Sequence, residues 1–325
     1  MLKIAMIAYD NCLLSGIASQ LDLFTIANWE KRRQQPQLKE PFCRHEIVTA
    51  GGLPVTSFNR MPVMPKRALK ECQDADLILV PGMMGRPDQL LQQEELLDWL
   101  RQQSRRDAVI ASACSGAFLL AEAGLLDGCP ATTHWQLAER FKQRYPKVDL
   151  QIDRLLVDGE HYLCAGGTSA HQDLALYLIE KFGSAQLAKA CARMMLIDYS
   201  RREQAPFINF RGRKNHGDEP VLKVQQWLDK NYRGKVVVKE LARYSGLNER
   251  TFLRRFRKAT GETPLEYVQR MRIEQAKRLL AGSEWLLEEI TKTVGYEDVS
   301  SFRRLFKQIV GVSPTVYRQR FSTLR

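Results

Sequence analysis

The sequence predicts two folds in one chain: an α/β domain built on a parallel sheet flanked by helices, then an all-α domain with two helix-turn-helix motifs. Three observations predict this. Over the first 200 residues, short apolar runs alternate with stretches of helical periodicity, the pattern of a parallel sheet covered by helices. After Pro220 the chain reads as helices only, cut by Gly246, Gly261, Gly282, Gly295 and Gly311. The charge is divided in the same way. Residues 1–205 hold 24 Lys+Arg against 24 Asp+Glu, whereas residues 206–325 hold 25 against 13, so the whole net charge of +12 lies in the last 120 residues. A basic domain beside a neutral one is the electrostatic footprint of polyanion binding.

The strand candidates are Lys3–Ala8, Glu46–Ala50, Leu77–Val80, Val109–Ala113 and Tyr162–Ala165. Leu90–Arg105, Gly116–Ala123 and Asp173–Phe182 carry an apolar stripe at helical spacing. Residues 1–200 form the first domain in this reading and 221–325 the second. Between them, 201–220 contains Arg-Arg-Glu-Gln-Ala-Pro and Arg-Gly-Arg-Lys-Asn-His-Gly-Asp-Glu-Pro, polar and without an apolar stripe, as a linker would be. No run of about 18 apolar residues exists, which predicts no membrane span. The opening Met-Leu-Lys-Ile-Ala-Met-Ile-Ala-Tyr-Asp turns acidic too soon for a signal peptide. Seven cysteines, an odd count without a Cys-x-x-Cys pair, predict free thiols in a reducing cytoplasm. No zinc spacing is present, and neither a metal nor a cofactor is expected.

The C-terminal part repeats itself. One copy runs from Glu240-Leu-Ala-Arg-Tyr-Ser-Gly246 through Thr251-Phe-Leu-Arg-Arg-Phe256 to Gly261-Glu-Thr-Pro264-Leu-Glu-Tyr267. The other runs from Glu289-Ile-Thr-Lys-Thr-Val-Gly295 through Ser301-Phe-Arg-Arg-Leu-Phe306 to Gly311-Val-Ser-Pro314-Thr-Val-Tyr317. The phenylalanines, the later glycines, the prolines and the tyrosines recur at 50 residues, Gly246 and Gly295 at 49, so one residue is inserted in the turn. Helix Val238–Tyr244 precedes helix Glu249–Ala259 in the first copy, and Leu286–Thr293 precedes Val299–Ile309 in the second. A short helix, a glycine turn and an arginine-rich second helix make a helix-turn-helix, whose second helix enters the major groove.

Phe252 with Phe256, and Phe302 with Phe306, each form a stripe that must face the core. Arg250, Thr251, Arg254 and Arg257, and Ser300, Arg303, Arg304 and Lys307, are therefore the candidate contacts to double-stranded DNA. Arginine can hold a guanine edge with two hydrogen bonds or clamp a phosphate. Pro264–Ala281 joins the copies as a helix of about 27 Å, long enough to set two recognition helices about one DNA turn apart.

In the first domain, Val109-Ile-Ala-Ser-Ala-Cys114-Ser-Gly116 runs from an apolar strand through small residues into a helix. Such an elbow exposes its central side chain above the sheet. The spacing therefore predicts an exposed Cys114, with a helix terminus favouring its thiolate. The alternative is a small buried cysteine.

Residues 221–321 resemble the AraC-type DNA-binding domain, most strongly in Gly295-Tyr-Glu-Asp-Val-Ser-Ser-Phe-Arg-Arg-Leu-Phe-Lys307 and Gly311-Val-Ser-Pro-Thr-Val-Tyr-Arg318. Residues 1–200 resemble the PfpI-like branch of the class I glutamine amidotransferase-like superfamily. The resemblance is carried by Val80-Pro-Gly-Met83, the Cys114 elbow, Ala131-Thr-Thr-His134-Trp135 and Ala165-Gly-Gly-Thr-Ser-Ala-His-Gln-Asp173. The order of the two is that of GlxA-type regulators. The resemblance implies a flavodoxin-like sheet, a transcription activator acting with RNA polymerase and a small-molecule effector such as an amine or amino acid. A homodimer is expected, for which the apolar helix face Leu187–Ile197 is either an interface or ordinary core. Strand ends and elbow, where such sheets bind ligands, give Asn11, Gly82, Met83, Cys114, Ser115, His134, Trp135 and Thr168 as the pocket. Trp135 could stack on a cationic head group or fill the core, and His134 could equally be a satisfied structural histidine.

The same resemblance raises a cysteine-dependent hydrolase or hydratase as the alternative, with Cys114 and His134 as its pair. Three departures weigh against it. Ser115 stands where hydrolytic relatives place histidine directly after the cysteine. Gly16 aligns with an acidic residue of the first helix, and Met83 replaces the second glycine of Pro-Gly-Gly. No catalytic residue is expected.

Overall fold

The computed structural model describes residues 1–85, 87–199, 201 and 203–323. Ser200 and Arg325, where the two expected domains end, and Arg202 of the expected linker lie outside them. The chain divides into two compact units, Met1–Gln204 and Ala205–Arg325.

The first unit contains strands β1 (Leu2–Ile7), β2 (Cys43–Thr49), β3 (Val55–Thr56), β4 (Pro62–Val63), β5 (Arg67–Ala68), β6 (Leu77–Val80), β7 (Val109–Ala113), β8 (Pro130–Ala131), β9 (Asp149–Leu150), β10 (Leu156–Asp158) and β11 (Tyr162–Ala165). Its helices are α1 (Leu14–Gln34), α2 (Glu94–Ser104), α3 (Ala117–Glu122), α4 (Ala138–Arg144), α5 (Ala170–Phe182) and α6 (Ala185–Met194). The main sheet has the order β10-β11-β7-β6-β1-β2-β5, and all its pairings are parallel except β10 with β11. Taken by its five principal strands this is the 2-1-3-4-5 order of flavodoxin-like sheets. Ile4–Ile7, Leu77–Val80 and Tyr162–Ala165 are buried throughout. They must be, because a parallel sheet is covered on both faces. Helices α1, α5 and α6 pack on one another, as do α2 and α3.

Two expected elements differ in detail. Leu90–Arg105 is a 3₁₀ segment, Pro87–Gln92, followed by α2. The helix Leu187–Ile197 spends its apolar face in its own unit, since Leu187, Ala188, Cys191 and Ala192 are buried. Met194 and Leu196 are what it leaves exposed.

The second unit is helical: α7 (Glu219–Asn231), α8 (Val238–Ser245), α9 (Glu249–Thr260), α10 (Pro264–Gly282), α11 (Leu287–Thr293), α12 (Val299–Val310) and α13 (Pro314–Phe321). The repeat is visible in its caps. Asn248 and Asp298 cap α9 and α12, and Thr263 and Ser313 cap α10 and α13 with proline as the next residue. Gly246, Gly261, Gly295 and Gly311 all have positive φ, which glycine adopts without steric cost. The inserted residue does fall in the turn, because Gly246 is two residues before its cap and Gly295 three.

Each copy has its own core. Val221, Val224, Leu228, Leu241, Phe252, Phe256 and Tyr267 form one; Ile273, Leu280, Ile290, Val294, Phe302, Phe306 and Tyr317 form the other. The recurring tyrosine packs edge-on against the second phenylalanine in both, Tyr267 at 5.5 Å from Phe256 and Tyr317 at 5.7 Å from Phe306.

The segment expected as a polar linker carries contacts at both ends. Gln204 is buried in the first unit, where its amide donates to Thr132 Oγ1, Thr133 O and Arg154 O. From Ala205 onward the segment lies against the helical unit. Phe207 meets Phe321 at 5.2 Å and Phe210 meets Tyr267 at 5.2 Å. Lys277 Nζ donates to Ile208 O, and Phe210 N donates to Glu274 Oε2. Lys277 and Glu274 are themselves a buried ion pair on α10, 3.3 Å apart. Removing one partner of such a pair leaves the other charge uncompensated, at a cost of about 3–5 kcal/mol. Lys277→Met is therefore expected to lower full-chain stability by that order in urea unfolding, whereas Glu274→Gln with Lys277→Met loses clearly less. Equal losses would show that the charge pairing is irrelevant.

Candidate functional sites

Three strand ends converge where the strand order reverses. The residues that follow β1 (Ala8 to Cys12), β6 (Pro81 to Met84) and β7 (Cys114) meet there. Leu13 N donates to Gly82 O at 2.8 Å and Met84 N to Asn11 O at 3.2 Å. The buried Tyr9 hydroxyl donates to Pro81 O. Asn11 is exposed, in the left-handed region at φ 61°.

Cys114 begins the elbow at φ 56°, a conformation that costs a non-glycine residue about 1–3 kcal/mol. Tight neighbours hold it. A Cβ on Gly82 would lie 2.9 Å from Cys114 Cβ, and one on Gly116 would lie 2.6 Å from Val80 O. Gly116 is helical, at φ −58°. Close approach to β6, not backbone freedom, requires glycine there.

The elbow is not exposed. Cys114 is 6% accessible. Burial pushes its thiol above the usual value, against hydrogen bonds from the Ser115 backbone and the Thr168 hydroxyl that favour the thiolate. Desolvation outweighs the helix terminus because it acts on the whole charge. Ser115 is buried, and its hydroxyl accepts from Met83 N at 2.8 Å and donates to Met83 O at 2.9 Å. Thr133 Oγ1 donates to Cys114 O at 2.8 Å.

The expected pocket residues therefore divide. Gly82, Met83, Ser115 and Thr168 gather around Cys114. His134 and Trp135 are half-buried on the neighbouring loop, and the described contacts join neither ring to the thiol. His134 Nδ1 accepts from Gln136 N at 3.2 Å, and its ring stacks on Trp135 at 5.7 Å. One face of Trp135 is thus already occupied. Burial lowers the His134 pKa.

Sequence reasoning gave His171 no role. Its Nδ1 lies 2.6 Å from Thr168 O; a carbonyl only accepts, so that nitrogen carries the proton. A Cβ on Gly16 would sit 3.9 Å from the same nitrogen. The signal was the glycine itself, since an aligned acid replaced by no side chain leaves room for a group from elsewhere. Burial lowers the His171 pKa. Behind it Asp173 pairs with Arg201, which also donates to Ser169 Oγ at 3.2 Å.

In the helical unit, Arg250, Arg254 and Arg257 are exposed on α9, and Ser300, Arg303, Arg304 and Lys307 on α12. Thr251 is half-buried, its backbone N–H bonded to the Asn248 cap at 2.9 Å. Positions 250, 254 and 257 correspond to 300, 304 and 307 across the repeat, so two helices present the same stripe. Arg255 is committed elsewhere, pairing with Asp218 at 2.9 Å. Hydrogen bonds from the Ser301 side chain and the Ser300 and Ser301 backbone N–H groups hold the Asp298 carboxyl below its usual value.

A helix-turn-helix domain family matches residues 241–320, and the DJ-1/PfpI family matches residues 27–181. The HTH-type transcriptional regulator CdhR of Pseudomonas aeruginosa is 28% identical over 84% of this chain and 80% of its own length. GbdR, another HTH-type transcriptional regulator of that organism, is 24% identical over 98% and 84%. The chain is an AraC-type helix-turn-helix regulator with a DJ-1/PfpI domain. An isonitrile hydratase of Pseudomonas putida is 32% identical over 43% of the regulator and 60% of its own length. An AraC family transcriptional regulator structure from Pseudomonas putida superimposes with a TM-score of 0.52 at 17% identity, covering 60% of the regulator and all of that chain. At that identity it shows the fold. Among the described residues no helix is long and apolar enough to cross a membrane, and no three His, Cys, Asp or Glu groups stand ready for a metal.

Burial makes a prediction about the thiols. Cys129 alone among the seven is not fully buried. A thiol reagent at pH 7 should label Cys129 first and spare Cys114 in the native chain, as read by mass spectrometry. Rapid modification of Cys114 at that pH would contradict its burial.

Proposed function

We propose that this regulator grips double-stranded promoter DNA with α9 and α12 and is controlled by a small molecule bound near Cys114. The observation that carries the DNA reading is the repeated exposed stripe on two helices joined by one continuous helix. Arg250, Arg254, Arg257, Arg303, Arg304 and Lys307, with Thr251 and Ser300, are its readers and clamps. The steep excess of positive charge in the same residues supports an affinity that falls with salt.

For the sensor, the convergence of strand ends supports a pocket made by Asn11, Gly82, Met83, Cys114, Ser115 and Thr168, with His134 and Trp135 at its edge. An amine or amino acid is the class of effector in this reading. It must bind one arrangement of the protein more tightly than another to change the grip on DNA. The finer form of the proposal is an activator that works with RNA polymerase in the cytoplasm, as a homodimer. The exposed Met194 and Leu196 are all that the Leu187–Ile197 segment has left for a partner copy.

The site is proposed as non-catalytic. The Met83 N–H, one donor that an oxyanion would need, is already given to Ser115 Oγ. The thiol is raised by burial, and Gly16 supplies no carboxylate. A thiol raised by burial, beside an oxyanion donor already engaged, is a poor nucleophile.

The test is selection of duplexes from a random pool by the full chain, followed by titration of the selected sequence. Arg254→Ala and Arg304→Ala are each expected to weaken binding by about 1–3 kcal/mol, about five- to 150-fold, with loss of preference in one half-site only. Unchanged binding in both variants would remove the assignment of readers. For the sensor, a thermal-shift panel of amines and amino acids on the full chain should find a stabilising compound. Cys114→Ala should alter that shift and leave basal DNA binding intact. A Cys114→Ala variant that instead loses a measurable turnover would favour the enzyme.

A further inference from the structure

Two recognition helices read one bipartite site only if the angle between them is fixed. The helix α10 carries part of both cores, so bending of α10 between them is what could change that angle. The structure holds a second connection, at Arg272 in the middle of α10.

The Arg272 guanidinium donates to three backbone carbonyls. Nε reaches Tyr232 O at 2.7 Å and Nη2 reaches Gly234 O at 2.8 Å. Nη1 reaches Gly295 O at 3.0 Å. Tyr232 and Gly234 lie between α7 and α8, in the first helix-turn-helix unit. Gly295 is the turn of the second. The guanidinium also lies over the Tyr296 ring, 5.1 Å from its centroid. Backbone packing closes the same joint: Gly295 has φ 92°, and a Cβ there would stand 2.3 Å from Arg233 O. The turn glycine thus serves two needs. It permits the left-handed backbone, and it lets the second turn press against the chain of the first unit.

We infer that Arg272 is a positioning residue for DNA reading: by tying three carbonyls across the joint between the two helix-turn-helix units, it sets the spacing between α9 and α12 and so the half-site separation the protein accepts. Arginine suits this task because its planar fork holds several donors in fixed directions, whereas lysine offers one point charge on a flexible stem. The inference rests on the two-helix reading proposed above. It adds a property that no base-contacting residue governs, namely tolerance to a change in half-site separation.

The experiment uses the full chain and the duplex enriched from the random pool, in three forms: as selected, and with one base pair inserted or deleted between the half-sites. One base pair turns the half-sites by about 34° and shifts them by about 3.4 Å. Wild type should lose about tenfold or more in affinity on either altered duplex, since one helix must give up its base contacts. Arg272→Gln should bind the selected duplex less tightly yet lose less than about threefold on the altered ones. Its own selection from the random pool should return half-sites of unchanged sequence at more than one separation. Arg272→Lys should fall between the two. A general loss of fold would weaken all three duplexes alike and would not flatten the spacing penalty. Gly295→Ala, which forces the same joint apart with the Arg272 side chain kept, gives a second reading if Arg272→Gln does not fold. A spacing penalty as steep as wild type in the folded Arg272 and Gly295 variants overturns the inference. A wild-type selection that returns no bipartite sequence overturns the two-helix reading itself.

Discussion

One helix has to satisfy two hydrophobic cores. Tyr267 and Val268, near the start of α10, are buried with Phe252 and Phe256, while Ile273, Ala276 and Leu280 are buried with Phe302 and Phe306. Each buried phenylalanine contributes about 1.5–3 kcal/mol relative to exposure, so neither unit can drop its share of α10 without losing its core. The helix is therefore fixed in register at both ends. What lies between those contacts inherits a fixed position too, including Arg272 on one side and the Glu274–Lys277 pair on another. The basic surfaces of α9 and α12 are thus carried on cores that share one helix.

The elbow in the first unit follows a different logic. Its geometry comes from lack of space rather than from a shared core. Gly82 and Gly116 let β6 and the turn after β7 approach closely, and the crowding holds Cys114 in a backbone conformation that it would otherwise avoid. That packing also buries the thiol and consumes the Met83 N–H. The same arrangement that in principle could present a nucleophile here closes it off.

The segment between the units shows how little composition says about docking. Residues 203–218 are polar enough to pass for a tether, yet Gln204 fills a buried position with three acceptors, and Ile208 and Phe210 are held by a buried lysine and glutamate on α10. Two phenylalanines, Phe207 and Phe210, anchor the segment to aromatic rings of α13 and α10 respectively. Apolar residues spaced three apart in a short, proline-containing stretch have no periodicity strong enough to announce an element.

The sequence by itself determined whatever repeats or alternates. The strands Leu77–Val80, Val109–Ala113 and Tyr162–Ala165 and the helices of both helix-turn-helix units are local patterns, and the physics that sets them acts over a few residues: side-chain period, caps and glycine turns. The fifty-residue repeat likewise named the arginine stripes, because Phe252, Phe256, Phe302 and Phe306 must face inward and leave only one face for solvent. Tertiary structure decided what depends on partners distant in the chain. It buried Cys114 against Gly82, set His171 opposite Gly16 some 155 positions away in sequence, turned His134 aside to cap its own helix and tied Arg272 to two separate turns. Burial and desolvation are properties of the packed neighbourhood, and no run of adjacent residues encodes them.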